Sequence, residues 1–164
     1  MLSIMSQVTV TKDIADRVLK NIAAIPKQRL LVGIPEEENA RGEEIGNAAL
    51  GYIHEHGSPA RNIPARPFLV PAMDEITPQA VAMLEMPTAD ALTKGVDVLA
   101  RGYERAGLVC QAAVKKRIVS QQGFAPLKER TIRARQRRGY KGTKALIRTG
   151  QLLNSITYVV REGA

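Results

Sequence analysis

A single cysteine, Cys110, occurs in the 164 residues, which excludes an internal disulfide framework and a Cys-rich zinc module. Long apolar runs are missing as well. The uncharged stretches Ile76 to Leu84 and Ala106 to Val114 have nine residues each and the longest, Thr149 to Val160, has twelve, still well short of what a bilayer span needs. Tryptophan is absent and aromatic residues make up 4%, with no RNP-type aromatic pattern. Histidine is limited to His54 and His56. On a helix these two side chains point about 200° apart, so they cannot chelate one ion as an i, i+4 pair could, and no metal is expected. Gly95, Gly102 and Gly107 lie in a helical pattern with no strand before them, so no phosphate-cradling loop is expected either. Acidic pairs such as Glu43 and Glu44 lie in a polar loop, where a carboxyl titrating near 4 is a poor general acid or base. Neither an enzyme nor a cofactor is expected. Without a basic n-region followed by an apolar segment, the N-terminus predicts synthesis and use in a cytoplasm as a soluble protein.

Basic charge is plentiful but unevenly placed. The net charge is +8, yet the segment Lys115 to Arg148 holds 12 basic residues against one acid, or +11. The remainder holds 12 basic and 15 acidic residues, or −3. The chain reads as a near-neutral body with one basic segment able to face polyanions. Within it Arg130, Arg133, Arg137 and Arg138 recur at i, i+3, i+7 and i+8, roughly one side of a helix, with Lys128 nearby. No helix-turn-helix or finger pattern accompanies them, so any contact with nucleic acid would be non-specific. A solvated surface helix is the ordinary meaning of such a run.

Hydropathy patterning predicts one α+β domain over residues 1–164: a small, mostly antiparallel sheet packed against a long amphipathic helix and several shorter helices, with extended loops and an N-terminal arm. Ser6 to Val10 is β-branched and suits a strand or arm. A helix runs from a Thr11 cap to about Pro26, and Arg29 to Ile34 is a short buried strand. Residues 36–45 are acidic, with five Glu and little to bury, and predict a mobile loop. Ile45 to His56 is helical, with Gly57 as its C-cap. Residues 57–67 form a Pro-rich loop, and Phe68 to Ile76 a short helix. The longest helix is predicted from Ala89 to Ser120 through Leu92, Val96, Leu99, Tyr103, Ala106, Cys110 and Ala113, with Gly102 and Gly107 marking a bend or close packing. Cys110 reads as an inert core thiol. A basic helix ends at about Arg138, a Gly/Lys-rich loop covers 139–148, a short helix spans Gly150 to Leu153, and Ser155 to Val160 alternates as a strand.

Three ordered stretches carry a resemblance: Tyr52-Ile53-His54-Glu55-His56-Gly57; Ile63-Pro64-Ala65-Arg66-Pro67-Phe68-Leu69 with Pro71-Ala72; and Pro126-Leu127 with Thr131-Ile132, followed by Leu146-Ile147-Arg148-Thr149-Gly150-Gln151-Leu152-Leu153-Asn154-Ser155-Ile156. Together they resemble the tail-completion, or tail-to-head joining, proteins of long-tailed bacteriophages. Arg148 departs from that pattern, standing where an acidic residue often precedes the Thr-Gly-Gln-Leu run. The resemblance implies a structural virion subunit without catalysis. It would be made in the host cytoplasm and form a ring, usually of six copies, in the neck or at the head-proximal end of the tail. Its implied partners are further copies of itself, the head-tail connector or stopper protein, the tail terminator or tail-tube protein, and DNA passing through the lumen. Interface candidates on the matching stretches are Arg66, Pro67, Phe68, Leu69, Thr149, Gly150 and Leu152. Candidates for a DNA channel or an acidic partner are Lys128, Arg130, Arg133, Arg137 and Arg138. The alternative is a free-standing, non-specific nucleic-acid-binding protein.

Overall fold

A computed structural model describes residues 14–25, 27–40 and 45–162. The expected N-terminal strand, the Thr11 cap and Pro26 lie outside the described residues. The architecture is α+β: α1 (Ala15–Ala24), β1 (Gln28–Gly33), α2 (Asn47–His56), α3 (Val70–Lys94), α4 (Asp97–Ser120), α5 (Glu129–Arg137), α6 (Gln151–Ser155) and β2 (Thr157–Glu162). The strands pair antiparallel from Gln28 opposite Glu162 to Gly33 opposite Thr157. This register puts the Leu30–Val160 and Val32–Tyr158 pairs on one face, as the period-2 pleat requires. Leu30 and Val32 pack against Ala80, Ala106 and Cys110, so the ribbon lies on α4.

The predicted helix from Ala89 to Ser120 is two helices. The helical repeat runs through the break in the sequence, but Gly95 takes φ +103°, a left-handed conformation open to glycine, and the chain reverses there. The predicted Phe68 to Ile76 helix is the first third of α3, which continues for 25 residues despite Pro78 and Pro87 inside it. Each internal proline removes a backbone donor and costs on the order of 3 kcal/mol. Packing along the length of α4 outweighs that cost, because burying several apolar side chains gains more. Beside each proline a threonine hydroxyl binds back into the helix: Thr77 Oγ1 donates to the Met73 carbonyl and Thr88 Oγ1 to that of Leu84, both at 2.6 Å.

Phe68, Ala72, Val114, Ile118, Leu146, Leu152 and Ile156 form the main core, which joins α3, α4, the loop before α6, and α6 itself. On α4 the buried face is Leu99, Gly102, Ala106, Gly107, Cys110, Val114 and Ile118. Gly107 is there for close approach: a Cβ at this position would run into the base of the Tyr158 ring. Gly107→Ala gains about 1 kcal/mol of helix propensity but forces the ring away, a repacking that costs typically 1–3 kcal/mol. The expected net result is a loss of about 1 kcal/mol in urea denaturation, whereas a rise in stability would show that the ring moves freely.

The acidic stretch begins with a 3-10 turn at Glu36–Glu38. Asn39 Oδ1 accepts the Ala48 N–H at 2.8 Å, and the buried Asn47 donates to the Glu38 and Ala40 carbonyls, which fastens this turn to the start of α2. Residues 41–44 lie outside the described residues. The Gly/Lys-rich loop is likewise tied back: the Gln121 amide exchanges two hydrogen bonds with the backbone of Ala145, and Lys144 Nζ donates to the Val119 carbonyl.

Candidate functional site

Glu55, in the last turn of α2, faces the start of α3. Its carboxylate accepts the backbone N–H groups of Phe68 (2.7 Å), Leu69 (2.9 Å) and Val70 (2.9 Å). A helix leaves its first donors unpaired and carries partial positive charge at that end, so an anion there is favoured twice. The loop leading into α3 is held from the same side. Arg66 N–H donates to the His54 carbonyl at 2.7 Å. The Arg66 side chain is 6% exposed, and its Nε donates to the Ala125 carbonyl at 2.8 Å and its Nη2 to that of Pro126 at 3.4 Å. Burial pushes the Arg66 pKa down, because the charged form loses hydration.

Arg66 is one wall of a surface cavity of about 220 Å³ that Arg135, Arg148 and His54 also line, with Leu127 and Leu152 supplying apolar wall. Arg135 projects from α5 and donates from Nη1 to the carbonyls of Lys144 (2.8 Å) and Gly142 (3.4 Å). Its pKa is lowered by burial first, then by the positive charges of Arg148 and Arg66. Arg148 lies over the Tyr140 ring, 5.6 Å from its centre, a cation–π contact that fixes the guanidinium at the rim. Among the described residues no acidic side chain lines the cavity. Three guanidinium groups thus share one recess whose partners on Arg66 and Arg135 are neutral carbonyls.

Several interface candidates prove to have internal positions. Phe68 and Leu152 are 3% exposed and sit in the main core, and Arg66 is 6% exposed, with its remaining surface on the cavity. Pro67 and Leu69 are half-buried: the Pro67 carbonyl accepts from Arg117 Nε at 3.2 Å, and Leu69 packs on the core. Thr149 is exposed, and Gly150 at φ +82° is the left-handed residue that starts α6. Of the basic set, Arg130, Arg133, Arg137 and Arg138 are all exposed. Arg133 pairs with Glu129 at 2.9 Å, and Lys128 Nζ reaches Asn62 Oδ1 at 3.0 Å, so the five cations are not equally available. His56 stacks on Tyr52 at the surface, while His54 faces the cavity. Cys110 is 1% exposed, and burial raises its thiol pKa, which keeps it protonated.

Sequence reasoning passed over Glu55, Arg135 and Arg148 as site residues. Arg135 breaks the i, i+3, i+7, i+8 pattern of its neighbours, and that odd position was the available signal that it points inward. Among the described residues no group of three or more His, Cys, Asp or Glu is placed to hold a metal ion, and no helix is long and apolar enough to cross a membrane. Comparison with protein-family models, curated proteins and solved structures finds no match to this chain.

Proposed function

We propose that this chain is a structural subunit of a long-tailed bacteriophage neck, a ring of six copies that joins the tail to the head connector around the DNA channel. The observation that carries the reading is the way the three family-like stretches come together. Glu55 of the first caps the α3 entry in the second, Arg66 of the second holds the Pro126 carbonyl of the third, and Phe68 and Leu152 share one core. Residues far apart in sequence thus form one structural unit, which is what a shared fold would require of a shared motif set. The site chemistry supports a binding role: a basic recess and exposed arginines.

In a phage that carries this gene, a nonsense codon in it should give filled heads and separate tails with no plaques, visible by electron microscopy. Fully infectious particles lacking the chain would overturn the reading. The exposed arginines of α5 favour a second reading, a free-standing non-specific nucleic-acid binder. That one requires the purified chain to bind duplex DNA with affinity falling steeply and linearly on a log–log salt plot.

A further inference from the structure

We propose that copies of this chain meet head to tail, the solvent side of α3 in one copy lying on the outer face of the β1–β2 ribbon in the next. The register places Arg29 opposite Arg161, Leu31 opposite Val159 and Gly33 opposite Thr157, all on the face turned away from the core. A sheet with one wet face alternates apolar and polar residues, yet Leu30-Leu31-Val32 and Tyr158-Val159-Val160 are apolar on both sides, the pattern of strands that are covered on both. Leu31 is nonetheless 45% exposed. Beside it lies a hollow of about 190 Å³ lined by Gly33, Pro35, Thr157 and Val159, and at Gly33 there is open space where a Cβ would stand. At one end of this apolar patch the two arginines face each other directly, a like-charge pair that weakens a ribbon.

The occupant is argued from charge and spacing. Of the four acids on α3, Glu75 pairs with Arg117 and Asp90 with Lys94, while Asp74 and Glu85 have no ion pair among the described residues. Asp74, Pro78, Val81 and Glu85 follow one another at four, three and four residues and are all exposed, so they form one stripe. Val81 on it is 54% exposed. Val81 and Glu85 stand one turn apart, about 6 Å along the helix axis, and Leu31 and Arg29 are about 6.7 Å apart along β1. A helix laid with Val81 on the Leu31–Val159 pair therefore brings Glu85 to Arg29 and Arg161, where its carboxylate separates the two cations. On the inner side of α3, Ala80 packs with Leu30 and Val32, so the stripe and the outer ribbon face look away from each other and one copy can engage two neighbours. Such a heterologous contact builds rings or filaments. The inference deepens the neck reading, and rests on it only for the closing of these contacts into a ring.

The test uses the purified full-length chain at about 0.1 mM, because a contact this small is weak. Leu31→Cys and Val81→Cys are made in separate chains and treated with a short bis-maleimide; Cys110 is 1% exposed and stays out of the reaction. The mixture of the two variants should give at least about five times the cross-linked dimer of either alone, since only a head-to-tail contact brings position 31 to position 81. Glu85→Arg in the V81C chain should cut the yield about three-fold or more, and Arg29→Glu with Arg161→Glu in the L31C chain should restore it. A yield from L31C alone equal to that of the mixture would overturn the arrangement in favour of a symmetric contact, and failure of the charge swap to restore the yield would overturn the assigned pairing. Cross-links that form only after residues 1–11 are deleted would show that the chain's own N-terminal segment takes the ribbon face, which also overturns the proposal. On the unaltered chain, diluting about ten-fold should move the NMR amide signals of residues 29–33, 157–161 and 78–86 together; no movement there would overturn the contact whatever the variants do. These outcomes are independent of plaque formation, so the contact can fail while the neck reading stands, and the reverse.

Discussion

Glu55→Ala is expected to cost about 3 kcal/mol of folding stability and to lower the melting temperature by roughly 9 °C. Three N–H groups at the start of α3 have this carboxylate as their acceptor. Pro71 contributes no N–H at the next position, and the Met73 N–H returns to the Leu69 carbonyl, so Glu55 and Pro71 between them deal with most of the donors that a helix start leaves open. Hydrogen bonds to a charged group contribute about 1.5–3 kcal/mol each when buried and less at a partly wet site. The sum is held to about 3 kcal/mol because the Val70 bond is exposed and water can replace it. Glu55→Gln should lose about half as much, since the amide oxygen still accepts but carries no charge to meet the helix end. Urea denaturation checks both: the midpoint should fall with an unchanged slope. A loss under about 0.5 kcal/mol for the alanine variant would mean that solvent caps α3 as well as Glu55 does.

Much of the fold was legible because its signals are local. The alternation of Ile156, Tyr158 and Val160 marks β2, and the helical repeat through α2 and α5 marks those elements, each within two or three residues of its observed ends. What escaped was decided between elements. An internal proline ordinarily breaks a helix, and only the partner surface of α4, which no local window contains, explains why α3 continues through Pro78 and Pro87. The repeat through Leu92, Val96 and Leu99 fits one helix, and Gly95 alone among those residues carries the freedom to turn the chain. Gly102 and Gly107 had two readings, a bend or close packing. The Tyr158 ring against Gly107 and Pro87 against Gly102 decide for packing, a fact that depends on which strand and which helix arrive there. The candidate site divides the same way. Exposed arginines at regular spacing were visible in the sequence, whereas the cavity was not, because Arg66, Arg135 and Arg148 come from a loop, a helix and a turn that meet only after the core has formed.

Changing Arg130, Arg133, Arg137 and Arg138 to glutamine should leave the monomer folded and, on the neck reading, abolish plaque formation. All four side chains are exposed. Glutamine is close to arginine in helix propensity, so α5 loses little from the replacement itself. The Arg133–Glu129 pair is fully at the surface, and pairs of that kind contribute about 0.3–0.5 kcal/mol. Loss of the cations near the C-terminal end of α5 removes a further few tenths of a kcal/mol each. A melting temperature within about 5 °C of the parent is therefore the expected control. The net charge falls from +8 to +4, and a ring of six copies would lose 24 positive charges from one level of the assembly, a change in local potential on the order of several kT at low salt. If these arginines face DNA in a channel, particles assemble and fail in DNA retention or delivery. If they face acidic surfaces of the adjoining ring, heads and tails accumulate unjoined, and added salt reproduces part of the defect in the parent protein by screening the same contacts. Electron microscopy of lysates separates the two outcomes. Normal assembly with normal infectivity would remove α5 from both roles.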